Sequence, residues 1–426
     1  MLDHGKILDL LRRADWLAFA IQCLLLLFGV TFIYGAGVEI GGDFASKWYR
    51  QLIWIGLGLT LYFGVALCDL RRLGAFSWLI YLFGILFLVM VFPLGITLNS
   101  ARSWLRLPGI GMFQPSEIAK ATTLLFMSWI ASRHAVRYSY LPIALPVFAV
   151  FFLPFVLVCA QPDYGTGLVF VPFTLAIVFI TGIRWRWLLA GLLLAILGIP
   201  LLFLAMSNKQ KERVKVFLEP PAKAIVAVLD DGTGREPAQS AVQPAKTAEE
   251  PETWRRRWSR KTEEFIKPPA GQARDNWNAQ QSLLAVGSGG LTGKGFLKGT
   301  QHVLGYLPKT VAPTDFIFSV IAEETGFFGS AILLGLITSL ILCYSRTALL
   351  SRNSFGSCLA IGVSAIFLTH TAINVGMTVQ AAPIIGIPLP FVSYGGSFML
   401  GAMLLAGLVQ NAHIHRHEKE DGNLEE

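Results

Sequence analysis

The stretch from 314 to 344, TDFIFSVIAEETGFFGSAILLGLITSLILCY, decides the class of this protein. After its few acidic residues it stays apolar for about the 20 helical residues that cross about 30 Å of hydrocarbon. Comparable apolar runs recur along the chain, at 16 to 35, 48 to 67, 75 to 95, 116 to 132, 141 to 160, 165 to 183, 187 to 206, 316 to 344, 356 to 379 and 391 to 411. The sequence therefore predicts an all-α polytopic membrane protein with about ten transmembrane helices.

The composition of the 426 residues agrees with a membrane protein. Apolar residues make up 54% and charged residues only 15% of the chain, whereas soluble domains carry about 25% charged residues. Disordered, collagen-like and disulfide-rich secreted proteins are excluded on the same grounds. We assign the net charge of +8 to cytoplasmic loops and predict no nucleic-acid partner. The five cysteines lack metal-ligand spacing, so no metal site is predicted.

Basic residues between the runs set the predicted orientation. With a cytoplasmic N-terminus, every cytoplasmic turn carries arginine, as the positive-inside rule requires. In the shorter outer loops, this orientation leaves Lys47, Arg50, Arg102 and Arg106 outside. Lys47 and Arg50 fit interfacial snorkelling as well as they fit a function. Arg102 and Arg106 lie in the stretch SARSWLRLPGIG, which contains proline and glycines typical of a loop. For these two arginines anion binding is the preferred interpretation.

The runs divide the chain into four regions. These are residues 1–206 with spans one to seven, 207–314 as a large extracytoplasmic loop between spans seven and eight, 315–412 with spans eight to ten, and 413–426 as a cytoplasmic tail. Within the loop, residues 220–274 mix Pro, Ala, Glu and Lys with few large aliphatic residues. This composition predicts a flexible insertion.

Asp315 is the strongest candidate for a catalytic residue. It stands directly before the eighth span, at the outer lip of the membrane on the predicted topology. Reduced hydration at that place disfavours the charged carboxylate and suits it to accept a proton. A helix cap is an equally good interpretation, in which Thr314 or Asp315 begins the eighth helix. Composition alone leaves both interpretations open.

Further polar residues lie in or near the spans, where charge is costly and indicates either function or pairing. They are Glu117, Lys120, Asp163, Glu323, Glu324, His370 and Asn374. Glu117 and Lys120 stand three residues apart, so mutual neutralisation is as good an interpretation as ligand binding. For His370 the preferred interpretation is a hydrogen bond between helices.

Five segments together resemble the SEDS family (shape, elongation, division and sporulation) of cell-wall polymerases. They are ARSWLRLPGIGMFQPSEIAK at 101–120, QPDYGTG at 161–167, AVGSGGLTGKGFLKGTQ at 285–301, YLPKTVAPTDFIFSVIAEETGFFG at 306–329, and NVGMTVQAAPIIGIPLPFVSYGGSF at 374–398. They follow the family's order, and GKG followed by GTQ is more similar to elongation-type than to division-type members. The chain departs from the family pattern by its insertion and by extra residues at 310–313.

The resemblance implies a peptidoglycan glycosyltransferase of cell elongation and cell-shape maintenance. Its substrate would be lipid II, the undecaprenyl-pyrophosphate-linked disaccharide pentapeptide, used on the outer face of the bacterial cytoplasmic membrane. The family's catalytic aspartate corresponds to Asp315, and a class B penicillin-binding protein is the implied partner. Matched motif positions and the need for cations at the pyrophosphate give the predicted substrate-binding residues, which are Arg102, Arg106, Glu117, Lys120 and Asp163.

Three alternatives stay open on the sequence, namely a lipid II flippase, a division-type polymerase and a non-catalytic scaffold for a transpeptidase. A transporter is expected to carry its polar groups near the midplane, at broken helices of two related halves. Asp315 instead lies at the outer edge. No cofactor is required by the motifs, and a divalent cation is an alternative to basic side chains for neutralising the pyrophosphate.

Overall fold

The computed structural model describes residues 4–38, 46–98, 101–107, 111–135, 144–182, 274–303 and 311–418, with single positions at 189, 193, 197, 211 and 307. The predicted seventh span lies largely outside the described residues. The predicted flexible insertion lies almost wholly outside them, so both remain predictions.

Long apolar helices form the body of the protein. They are α2 (Trp16–Val38), α3 (Lys47–Ala66), α5 (Ser77–Leu94), α6 (Pro115–Ala135), α7 (Ala144–Ala160), α8 (Tyr164–Ile180), α11 (Ile317–Leu350), α12 (Ser354–Thr378) and α13 (Gly396–Ile414). Of these, α2, α5, α11, α12 and α13 are long and apolar enough to cross a membrane by length and composition. Helices suit hydrocarbon because they satisfy their own backbone groups. The all-α polytopic prediction is confirmed, and the count of ten spans stays a prediction.

Shorter elements lie at the ends of the long helices. They are α1 (His4–Arg12), α4 (Leu70–Ala75), α9 (Arg274–Ser288), α10 (Thr300–Val303), and the strands β1 (Ile96–Leu98), β2 (Ala101–Leu107) and β3 (Gly111–Phe113). The strands form one antiparallel sheet in the order β1-β2-β3. The sheet was not predicted, although β2 alternates exposed arginines with buried residues as a half-buried strand does.

The helices alternate in direction between two ends of the bundle. Asn411 on α13 donates to the carbonyls of Val65 and Cys68 at the end of α3, and Arg416 donates to Arg13 O before α2. We call this the Arg416 end. At the opposite end, the start of α11 meets the residues before α13, and we call it the Asp315 end. Arg13, Arg352 and Arg416, which the positive-inside rule predicts to be cytoplasmic, thus lie together at the Arg416 end.

The residues between α12 and α13 do not form the start of the last span. We predicted that span from 391, but α13 begins at Gly396, and residues 379–395 form an irregular re-entrant segment. Leu389, Phe391 and Val392 within it are buried, and Gly29 of α2 approaches the Val392 backbone closely. Non-helical backbone is tolerated in a membrane protein where protein, rather than lipid, surrounds it. The predicted start at 391 was wrong because apolar composition alone does not distinguish a transmembrane helix from a buried irregular segment.

Candidate active site

Asp315 lies half-buried in the turn that leads into α11. The helix begins after Phe316, which has no side-chain cap, and Thr314 Oγ1 bonds to Val311 O instead. The residue at the N-cap position of α11 is therefore Phe316, one residue after Asp315. The Asp315 carboxylate lies against the re-entrant segment, because a Cβ placed on Gly386 would be 3.2 Å from Asp315 Oδ2.

The backbone around Asp315 is bound to the re-entrant segment and the helix before it. The hydrogen bonds run from Tyr394 N to Pro313 O (2.9 Å), from Ser393 Oγ to Thr314 O (2.6 Å) and from Asn374 Nδ2 to Asp315 O (2.9 Å). Three consecutive carbonyls therefore have donors on other elements, which holds this turn in place.

Arg102 and Arg106 lie four residues apart, on one face of β2, and are exposed. Arg102 is held at the end of α5, where its Nε donates to Gly95 O at 2.9 Å and its Nη2 to Pro93 O at 3.3 Å. Arg106 pairs by its backbone register with Met112 of β3. The sheet thus presents two cations at the Asp315 end, and their predicted binding of an anion stays a prediction.

Glu117 and Lys120 form a buried ion pair on the first turns of α6. Lys120 Nζ lies 2.9 Å from Glu117, and the two residues are only 1% and 5% exposed. Lys120 Nζ also lies 3.0 Å from His370 Nε2 on α12. The pairing is the one that their i,i+3 spacing allowed, and His370 does bond between helices. Their predicted role in substrate binding stays a prediction.

Asp163 caps α8 by accepting a hydrogen bond from Thr166 N at 3.2 Å. Its Oδ2 also accepts from Gln114 Nε2 at 2.7 Å, and Gln114 stands just before α6. The neighbouring Gln161 donates to Leu88 O of α5 at 2.9 Å. The QPD motif therefore joins three helices at the Asp315 end, whereas its predicted contact with substrate stays a prediction.

Glu323 is fully buried and holds a glycine-rich loop, residues 289–299, onto α11. Its carboxylate accepts from Lys294 Nζ at 2.6 Å, from Thr300 N at 2.7 Å, and from Gln301 N at 3.1 Å. The loop reaches Glu323 where Gly326, at φ 68°, interrupts the helical conformation of α11. A carboxylate with these partners is an anchor and is poorly placed to take a proton from a substrate.

Sequence reasoning passed over the polar contacts of α3. Gln51, only 1% exposed, donates to Ser393 O at 3.2 Å and accepts from Gly395 N at 3.3 Å. Lys47 lies 5.4 Å from the ring centre of Tyr394. A polar residue in an apolar helix was the available signal for Gln51. The start of α3 therefore braces the same segment that contacts Asp315.

The structure thus links Asp315, the re-entrant segment, His370 and the Glu117–Lys120 pair into one region, with Arg102 and Arg106 on the nearby sheet of the same end. Among the described residues, no three His, Cys, Asp or Glu side chains are grouped to hold a metal ion. A divalent cation stays an alternative to the basic side chains as a source of positive charge.

Comparison with known proteins points to one family. The family model described as "Cell cycle protein", for FtsW, RodA and SpoVE, matches residues 15–235 and 252–419. The peptidoglycan glycosyltransferase MrdB of Escherichia coli K12 is 31% identical over 396 residues, covering 92% of this chain and 93% of that protein. The peptidoglycan glycosyltransferase RodA of Treponema pallidum is 30% identical, covering 94% and 98%.

Solved structures agree with the described fold. A chain from a structure on the coordination of polymerization and crosslinking by a peptidoglycan synthase complex has a TM-score of 0.65 and 26% identity, covering 95% of this chain and 99% of its own. The rod shape determining protein RodA of Thermus thermophilus has a TM-score of 0.61 and 24% identity, covering 95% and 98%. The motifs, the fold and these matches together show that the chain belongs to the SEDS family and is RodA-like within it.

Proposed function

We propose that this protein is a peptidoglycan glycosyltransferase that polymerises lipid II during cell elongation. The observation that carries the proposal is a half-buried carboxylate, Asp315, held at one end of a membrane bundle by bonds to three successive carbonyls. The relatives named MrdB and RodA, which are glycosyltransferases by name, support the reaction class.

The reaction we propose is a single displacement with inversion. A sugar hydroxyl of the incoming lipid II attacks the anomeric carbon of the growing chain. The bond from that carbon to undecaprenyl pyrophosphate breaks, so an α linkage becomes a β1,4 glycosidic bond. Asp315 takes the hydroxyl proton as general base. Pyrophosphate leaves with its electron pair and needs no paired acid, unlike the alcohol that leaves in ordinary glycosidases.

The departing pyrophosphate needs positive charge nearby. Arg102 and Arg106 are the exposed cations of the sheet, and guanidinium groups bind phosphate oxygens in pairs. Lys120 is buried against Glu117 and His370, so it reaches a pyrophosphate only if those contacts open. Asp163 completes the proposed substrate-binding set, and a divalent cation is the alternative source of charge.

Location and partner follow from the same proposal. Arginines at the Arg416 end support a cytoplasmic position for that end. On this proposal, Asp315 lies at the outer face of the inner membrane. The relative from a peptidoglycan synthase complex, whose description joins polymerization to crosslinking, supports a class B penicillin-binding protein as partner.

The proposal is tested with purified full-length protein, its penicillin-binding protein partner and labelled lipid II, followed for polymer on a gel. We expect glycan strands that disappear on lysozyme digestion. Transfer of lipid II across vesicle membranes without polymer would instead identify a flippase. Neither polymer nor transfer, with intact binding of the transpeptidase, would identify a scaffold.

A further inference from the structure

The turn that carries Asp315 precedes the backbone hydrogen bonds of α11. The first carbonyl to accept such a bond is Phe316 O, which accepts from Ser319 N at 3.0 Å and from Val320 N at 3.4 Å. The carbonyl of Asp315 comes one residue earlier. A partly buried carbonyl that accepts no helical hydrogen bond needs a donor from elsewhere, since leaving it unsatisfied is costly. Asn374 of α12 supplies that donor.

Asn374 joins two separate pieces of backbone. Its side-chain nitrogen donates to Asp315 O at 2.9 Å and to Ile387 O at 2.7 Å. Because two carbonyl oxygens face the amide, the nitrogen rather than the oxygen must point at them. Asn374 is fully buried, at 0% exposure, and sits on a long regular helix. One side chain therefore sets the separation between the Asp315 turn and the re-entrant segment.

A second bond one helical turn earlier fixes the same segment. His370 Nδ1 lies 3.1 Å from Pro388 O, the carbonyl next to that of Ile387. The ammonium of Lys120 can only donate, so His370 Nε2 accepts from it and Nδ1 carries the proton given to Pro388. Consecutive carbonyls of the re-entrant segment are thus fixed to one face of α12.

The carboxylate of Asp315 lies where these two bound segments meet. Gly386, whose φ is 77°, lies beside Asp315 Oδ2, directly before the residue that Asn374 binds. A shift of the re-entrant segment relative to the turn would move the surface against which the carboxylate rests. Small displacements of a catalytic group, of about 1 Å, can cost about 10²-fold in rate.

We propose that Asn374 is a positioning residue, which fixes the Asp315 carboxylate for proton transfer by tying the turn before α11 to the re-entrant segment. Ser393 acts with it through its bond to Thr314 O. This inference rests on the proposed function, because it gives Asn374 a role only if Asp315 is the base.

The test compares Asn374→Ala with Asn411→Ala in purified full-length protein polymerising labelled lipid II. Asn411 is the matched control because it is also 0% exposed and donates to backbone carbonyls, but at the Arg416 end. We expect kcat to fall at least about tenfold in Asn374→Ala, with KM changed less than about twofold. We also expect the acid limb of its pH–rate profile to move, which a change in folded fraction alone would not cause.

Equal losses in both variants, with the same pH profile, would overturn the inference. If Asn374→Ala does not fold, Ser393→Ala against Ser393→Thr carries the test, because threonine keeps the hydroxyl donor. Loss in the alanine variant with recovery in the threonine variant supports positioning, and equal activity overturns it. Asp315→Asn, run in parallel, separates the two levels: activity in that variant refutes the proposed base, whereas its inactivity beside a fully active Asn374→Ala refutes only the positioning.

Discussion

Removing the ammonium of Lys120 should strongly destabilise the protein. Lys120 and Glu117 have side chains only 1% and 6% exposed, with a contact of 2.9 Å. Deleting one partner of a buried pair leaves an uncompensated charge and costs about 3–5 kcal/mol. Lys120→Met keeps most of the length of the side chain but leaves the Glu117 carboxylate without its cation, and it also removes the donor to His370. We therefore expect a loss at the upper part of that range.

The measurement is the temperature at which half of the detergent-solubilised protein stays monodisperse. Arg13→Met is the control, because Arg13 forms an exposed pair with Asp9 and such pairs contribute about 0–1 kcal/mol. The double variant Glu117→Gln/Lys120→Met should recover most of the stability, since it removes both charges. Lys120→Met as mild as Arg13→Met, or a double variant as unstable as the single one, would refute the reasoning.

The same double variant also decides between two roles of the pair. Polymer formation that returns with stability would identify a structural pair. A folded but inactive double variant would support the sequence-based prediction that Lys120 contacts the substrate, since stability and lipid II use would then separate.

Three further outcomes are expected. Glu323→Ala should free the glycine-rich loop, so limited trypsin digestion should cut there faster than in the wild type, and unchanged cleavage would contradict the anchor. Gly386→Ala should slow polymerisation at least about tenfold because its φ is 77° and its Cβ would press on Asp315, whereas Gly64→Ala, with open space around it, should leave the rate unchanged. Deleting residues 222–269 should leave polymerisation in detergent largely intact, and a loss above about tenfold in folded, partner-bound protein would show a working element.

Long apolar runs made the helices predictable because each run is local in sequence. The predicted span at 48–67 is α3 (Lys47–Ala66), and that at 356–379 is α12 (Ser354–Thr378), each displaced by one or two residues. The residues at 391–395 were misassigned because they are as apolar as a span. Their irregular backbone depends on donors from α3 and contacts with the α11 turn, which lie far away in the sequence.

The candidate site was predictable in its charges but not in its contacts. The edge position of Asp315 and the spacing of Glu117 and Lys120 could be seen in the sequence. The role of Asn374 could not, because an isolated asparagine in an apolar run does not show which backbone carbonyls it meets. Glu323 was open as an alternative base until its bonds to Lys294 of the glycine-rich loop and to Thr300 of α10 were seen.

The polymerisation rate of Asp315→Asn decides whether this carboxylate is the general base. Asparagine keeps the shape of the side chain and removes its basicity, and loss of a general base lowers a rate by roughly 10² to 10⁴. Asp69→Asn is the control, because Asp69 caps α4 at the opposite end by accepting from Arg71 N. We predict that purified Asp315→Asn, with its partner present, makes no detectable glycan while still binding lipid II, and that Asp69→Asn polymerises normally. Polymer from Asp315→Asn at more than about a tenth of the wild-type rate would contradict the mechanism.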